Sequence, residues 1–216
     1  MSTCTHDRKM TLSMLANRYG TDKAWLHHYM EEYERHFEPM RDLPINLLEI
    51  GIGGYAIPNR GGHSLRMWGS YFKNGKVVGI DIVDKSFVDK ENITTEIIDQ
   101  TDEKALIDLS LRRGPFQIII DDGSHVQEHI LQTFYILFPA LEPGGIYVIE
   151  DLATAYMEFY GGGPELPSPN AIGLVQRLID GIHWESWGKR RQGPTPIDRM
   201  IQSVHVTKEL AFIYKR

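Results

Sequence analysis

Two acidic strand ends hold the residues best suited to chemistry in this sequence. The stretch Ile118–His125, IIIDDGSH, is a β-branched run that closes on two carboxylates, a Gly-Ser turn and a histidine. Such a run reads as a strand buried on both faces, so its polar residues emerge together at the C-terminal end. A second run, Ile146–Ile149, ends the same way in Glu150 and Asp151. If the two strands lie close together in one sheet, the acids converge. Carboxylates gathered beside an imidazole suit a hard divalent cation and a general base. The plainer role for Asp121, Asp122 or Ser124 is to cap the helical run EHILQTFYIL that follows. That role accounts for one carboxylate, but not for two beside a histidine. His129, a helical turn further on, reads as structural.

The surrounding elements must bring these ends to one edge. From Ile45 onward strand-like and helix-like runs alternate: INLLEI, HSLRMWGSYF, VVGIDI, ITTEIID, EKALIDLSL, FQIIID, EHILQTFYILFPAL and IYVIED. This alternation predicts βαβ crossovers and a doubly wound, mostly parallel α/β sheet. SVHVT and LAFIYK, joined at Lys208-Glu209, add an antiparallel edge hairpin at the C-terminus. Residues from Thr11 to Phe37 read as helical, with Tyr29, Tyr33 and Phe37 repeating every four positions and GTDK at Gly20–Lys23 as a loop and cap. We read residues 1–40 as a helical extension over the active site and 41–216 as the main domain. Gly161–Asn170, rich in glycine and proline, is a surface loop placed to act as a lid. Ala171–His183 is an amphipathic helix.

A length of 216 residues fits one well-buried domain, and the net charge of -6 argues against a nucleic-acid partner. The basic cluster Lys189–Arg191 then reads as a solvated turn. The single cysteine, Cys4, sits in a polar leader without an apolar signal core, and no run is long enough to span a membrane. A soluble, cytoplasmic setting without a membrane partner is expected.

LLEIGIGGYA formally fits GxGxxA through Gly51, Gly53 and Ala56, which raises a dinucleotide fold and a nicotinamide-dependent oxidoreductase. Pro58 and Gly61-Gly62 argue against it, because the chain stays irregular where a helix should begin at once. Glu49, just before the loop, suits a cation better than a phosphate. Asp81 ends the second strand, where an acid accepts from ribose hydroxyls, and Asp99-Gln100 follow the third. Ser64 opens the first crossover helix as a cap within reach of a ligand carboxylate. Together Glu49, Gly51, Gly53, Asp81, Asp99 and Gln100 describe a pocket for S-adenosylmethionine, whose sulfonium and amino groups are positive.

YGTDK, EIGIGGY with GGHSLRMW, VVGIDIVDKS, DQTD, IIIDDGSH and LEPGGIYVIEDL occur in that order between Tyr19 and Leu152. In this the chain resembles the class I S-adenosylmethionine-dependent methyltransferases, and within them the metal-dependent sugar O-methyltransferases of the macrocin and mycinamicin group. The resemblance implies a seven-stranded Rossmann-like methyltransferase sheet. It implies Asp122, Glu150 and Asp151 as ligands of magnesium, with manganese or calcium as substitutes, and His125 as the general base. Asp121 would face the cofactor's methionine, and His27 or Tyr29 would reach the substrate. The acceptor would be a sugar hydroxyl on a small molecule or oligosaccharide, with a catechol or phenolic diol as the alternative. A protein that binds S-adenosylmethionine without turnover is the non-enzyme alternative. The aromatic leader suggests a homo-oligomer, a dimer.

Overall fold

The computed structural model describes residues 9–57, 59–163, 169–188 and 193–216. Cys4, Pro58, the cluster Lys189–Arg191 and the middle of the loop Gly161–Asn170 lie outside the described residues.

Three short helices come first: α1 (Leu12–Tyr19), α2 (Asp22–Trp25) and α3 (Met30–Phe37). The Thr11 side chain caps α1 by accepting from the Met14 N–H, and Gly20 ends it in the left-handed region at φ 70°. The stripe spaced by four forms the inner face of the third helix and the turn before it, with Tyr29, Tyr33 and Phe37 all buried. GTDK breaks the helices as expected, with Gly20 closing α1 and Thr21 at the N-cap of α2, but Asp22 and Lys23 already open a helical turn, and Lys23 is buried.

The strands are β1 (Asn46–Ile50), β2 (Lys76–Asp81), β3 (Ile93–Ile97), β4 (Phe116–Asp121), β5 (Leu141–Ile149), β6 (Ile201–Val206) and β7 (Ala211–Lys215). The helices between them are α4 (His63–Tyr71), α5 (Glu103–Arg113), α6 (Gln127–Leu137), α7 (Ala171–Ile182) and α8 (Pro196–Met200). The seven strands lie in the order β3-β2-β1-β4-β5-β7-β6. β1 to β5 pair in parallel, and β7 joins β5 antiparallel and turns back into β6. The doubly wound sheet with an antiparallel C-terminal edge is therefore as expected. β5 starts earlier than its apolar run, reaching back through Pro143, Gly144 and Gly145.

Successive strand residues alternate between two cores, which is why the runs are continuously apolar. Leu47, Ile118, Ile120, Ile146 and Val148 face α1, α3 and α4. Leu48, Ile119, Tyr147 and Ile149 face α5, α6 and α7. Each fully buried side chain of this kind contributes about 1.5–3 kcal/mol. With both faces covered, the polar strand ends are left on the C-terminal edge.

Candidate active site

β1 and β4 are neighbours in register, with Glu49 opposite Ile120 and Ile50 opposite Asp121. The chain leaves β1 under the end of β4: the Asp122 N–H donates to the Ile50 carbonyl at 3.0 Å. Gly51 is obligatory there, because at φ +87° a Cβ would lie 2.0 Å from the Asp122 carbonyl oxygen. The loop stays irregular through Gly53, and α4 starts only at His63, as the case against a dinucleotide fingerprint requires. Asp81 ties this loop to β2, its two carboxylate oxygens accepting from Ile52 N at 3.0 Å and Val83 N at 2.9 Å.

Two acids here are fully buried. Burial pushes Glu49 up to about 7 despite the Lys23 ammonium, and pushes Asp121 up to about 7 as well. Ser64 Oγ donates to Glu49 Oε2 at 2.9 Å, and the Tyr147 hydroxyl donates to Asp121 Oδ2 at 3.3 Å. Asp121 Oδ1 has no hydrogen-bond partner, and Glu49 Oε1 has none either, its nearest cation being Lys23 Nζ at 3.5 Å. Buried acceptors left open in this way fit a ligand that brings its own cationic donors. Ser64 is not the cap expected of it, since Gly62 occupies that position and the Ser64 hydroxyl is turned onto Glu49.

Asp99 and Gln100 reach the same edge with different tasks. Asp99 is exposed, and its Oδ1 accepts the Thr101 N–H and hydroxyl, which lowers its pKa. Gln100 is buried and accepts the Ser124 N–H through Oε1.

The second group of acids sits where β4 and β5 end side by side, joined by the Glu150 N–H to the Asp121 carbonyl at 3.1 Å. Asp122, His125 and Asp151 each present one potential ligand atom, all within 4.8 Å of one another. His125 Nε2 is 3.4 Å from Asp151 Oδ2 and 3.9 Å from Asp122 Oδ1. His125 and Asp151 both adopt left-handed backbone, at φ 59° and 54°. Neither Asp121 nor Asp122 caps α6; its N-cap is Val126, whose N–H reaches Ser124 Oγ. Ser124 Oγ also meets His129 Nδ1 at 2.8 Å.

Glu150 is turned away from the open trio. Its Oε1 lies 2.7 Å from Lys23 Nζ and also accepts from the Tyr33 hydroxyl. Lys23 also contacts Asp122 Oδ2 at 2.5 Å and lies 3.5 Å from Glu49 Oε1. Burial alone would lower the Lys23 pKa, but Asp122, Glu150 and Glu49 outweigh it and hold the ammonium well above its ordinary value. Burial and the nearby Asp122 raise Glu150 well above the ordinary carboxylate range. Asp151 accepts from the Tyr29 hydroxyl at 2.6 Å and lies 3.4 Å from His27 Nδ1. Lys23 and Tyr33 are absent from the sequence-based site, and their only signal there was GTDK followed by an aromatic stripe. Two carboxylates beside one imidazole, with no thiolate, suit magnesium, manganese or calcium better than a thiophilic metal.

No family model matches the chain. It is 44% identical over 206 residues to the 8-demethyl-8-alpha-L-rhamnosyl tetracenomycin-C 2'-O-methyltransferase of Streptomyces olivaceus, covering 95% of this chain and 54% of that protein. It is 45% identical over 212 residues to the mycinamicin VI 2''-O-methyltransferase of Micromonospora griseorubida, covering 96% and 53%. The MycE methyltransferase of the mycinamycin pathway, solved with Mg, SAH and mycinamycin VI, superposes with a TM-score of 0.92 at 44% identity, over 96% of this chain and 54% of that one. The chain thus spans about half the length of the curated relatives it matches. It belongs to the class I S-adenosylmethionine-dependent methyltransferases. Within that class its homologues are the sugar O-methyltransferases of the macrocin and mycinamicin group.

Proposed function

We propose that the chain is the catalytic unit of a magnesium-dependent O-methyltransferase that moves the methyl group of S-adenosylmethionine onto a sugar hydroxyl of a glycosylated natural product. The observation that carries this reading is the meeting of two pockets at one sheet edge. Two buried acids, Asp121 with one open oxygen and Glu49 with one met only by Lys23 at 3.5 Å, lie beside the trio Asp122, His125 and Asp151. The likeness to enzymes named for methylating rhamnosyl and macrolide sugars gives the acceptor class.

In this reading Glu49 and Asp121 hold the amino and sulfonium end of the cofactor, with the Gly51–Gly53 loop, Asp81 and the Asp99-Gln100 turn around its nucleoside. S-Adenosylmethionine supplies a methyl group on a sulfonium, ready for in-line displacement. Asp122 and Asp151, with Glu150 behind them, would hold the divalent ion, which would supply Lewis acidity toward the acceptor hydroxyls. His125 takes the proton of the attacking hydroxyl as its oxygen bonds to the methyl carbon and the carbon–sulfur bond breaks, giving an ether and a thioether. Asp151, 3.4 Å away, offsets the charge that develops on the imidazole.

The segment before β1 covers this site, because Lys23, Tyr29 and Tyr33 all come from it. No helix among the described residues is long and apolar enough to cross a membrane. We assign the enzyme to the cytoplasm as a dimer, with Trp25 and Leu26 among its exposed apolar groups; light scattering reads the oligomeric state directly.

Calorimetric titration with S-adenosylmethionine, and with NAD as control, tests the reading. Binding of the first alone, followed by magnesium-dependent methylation within a panel of rhamnosyl and macrolide glycosides, is the expected result. Uptake of NAD without S-adenosylmethionine would overturn it. Methylation of catechols in preference to every glycoside would move the acceptor class to phenolic diols.

A further inference from the structure

Lys23 is 2% exposed, and its ammonium reaches three strand ends at once: Glu49 after β1, Asp122 after β4 and Glu150 after β5. It comes from outside the sheet, on the one-turn α2, whose neighbourhood is fixed by the Tyr29 N–H donating to the Lys23 carbonyl at 2.9 Å. The ammonium thus holds Asp122 and Glu150 together from one side of the strand ends, 2.5 and 2.7 Å from one oxygen of each.

The geometry separates where the lysine acts from where a divalent cation would sit. Lys23 takes Asp122 Oδ2, whereas Asp122 Oδ1 faces His125 and belongs with Asp151. Asp122 and Asp151 keep 25% and 20% side-chain exposure against 2% for Lys23. The ammonium therefore stands behind the carboxylates and the open trio stands in front.

We propose that Lys23 is a positioning residue for the divalent-cation site, holding one oxygen of Asp122 and one of Glu150 so that the cation meets preset carboxylates. This rests on the magnesium-dependent reading above. Without Lys23, Asp122 and the buried Glu150 repel each other with no common anchor. Groups that orient metal ligands in this way are commonly worth about 10–100-fold in metal affinity.

The test is direct Mn2+ binding by electron paramagnetic resonance, with S-adenosylmethionine affinity measured in parallel. Lys23→Met is expected to weaken Mn2+ binding at least about tenfold and to leave S-adenosylmethionine affinity within about threefold. Lys23→Gln, which keeps a hydrogen-bond donor, is expected to show the same loss and serves if the Met variant does not fold. Mn2+ binding that is unchanged or tighter in either variant overturns the proposal and leaves the methyltransferase reading intact. Wild-type protein that binds no S-adenosylmethionine overturns that reading instead. A third measurement needs no variant: the slowly exchanging 15N-ammonium signal of Lys23 should persist when the wild-type protein is saturated with Mg2+. Its loss would mean that the ion displaces the lysine, and the proposal would fall.

Discussion

Gln100 Oε1 accepts the backbone N–H of Ser124 at 2.7 Å, so the turn that carries His125 is pinned to the loop after β3. The same side chain donates through Nε2 to Thr133 Oγ1 on α6 at 3.3 Å. Its room is made by Gly123, where a Cβ would lie 2.2 Å from Gln100 Oε1. Gly123→Ala should swing the glutamine aside and leave the Ser124 N–H without its acceptor. The expected cost is about 1–3 kcal/mol, read as a lower unfolding midpoint, with weaker S-adenosylmethionine binding in calorimetry. A melting curve and affinity that match the parent would show that the contact positions nothing.

Glu49 and Asp121 should separate stability from binding. Each carboxylate is buried at a cost that its neighbours only partly offset. Glu49→Gln and Asp121→Asn should leave the melting temperature equal or higher. S-Adenosylmethionine affinity should fall about tenfold or more, the loss typical of a charge-assisted hydrogen bond. A large loss of stability with affinity retained would make both acids structural.

His125→Ala should lower kcat by about 10²–10⁴-fold, the usual range for a lost general base. S-Adenosylmethionine affinity should stay close to that of the parent, since the imidazole contacts the Asp122 and Asp151 side rather than Glu49 or Asp121. Activity within a few-fold of wild type would remove His125 from the chemistry.

His36 gives a pH dependence with a definite sign. Its ring stacks on Phe212 with centroids 3.9 Å apart and meets Tyr214 and His205 through its two nitrogens. Burial, reinforced by His205 and Arg35, holds its pKa down at about 4 against an ordinary 6.5. Between those values the unfolded chain binds the extra proton and the folded one does not. The contribution is therefore complete above pH 6.5 and is lost as pH falls toward 4. Because the ring is half-exposed, solvent screening reduces the effect to about 1 kcal/mol. Denaturation at a series of pH values should show this slope, and His36→Gln should flatten it.

The acids at the strand ends were legible in the sequence because period and position carry them. A run buried on both faces can release polar side chains only at its end, so Asp121, Asp122, Glu150 and Asp151 had to share one edge if β4 and β5 were adjacent. Lys23 was not legible. Its burial is decided by Asp122 and Glu150, which lie 99 and 127 positions away in the chain. Asp99 illustrates the opposite difficulty. Its place after β3 was readable, but DQTD also encodes a local Asx turn, and its Oδ1 is committed to that turn. Ser64 likewise kept its place in the chain but not the capping role, because Gly62 already ends the loop in left-handed backbone.

His125 and Asp151 hold a backbone handedness that side chains resist, each at a cost of about 1–2 kcal/mol. A glycine at either place would relax the backbone, a gain that at Asp151 is offset by the lost Tyr29 hydrogen bond, so His125→Gly is the easier route to a more heat-resistant protein. Selection for thermal endurance alone would thus act first on the imidazole of the acid cluster. Engineering of this protein for robustness has to hold both positions fixed and look for its gains elsewhere.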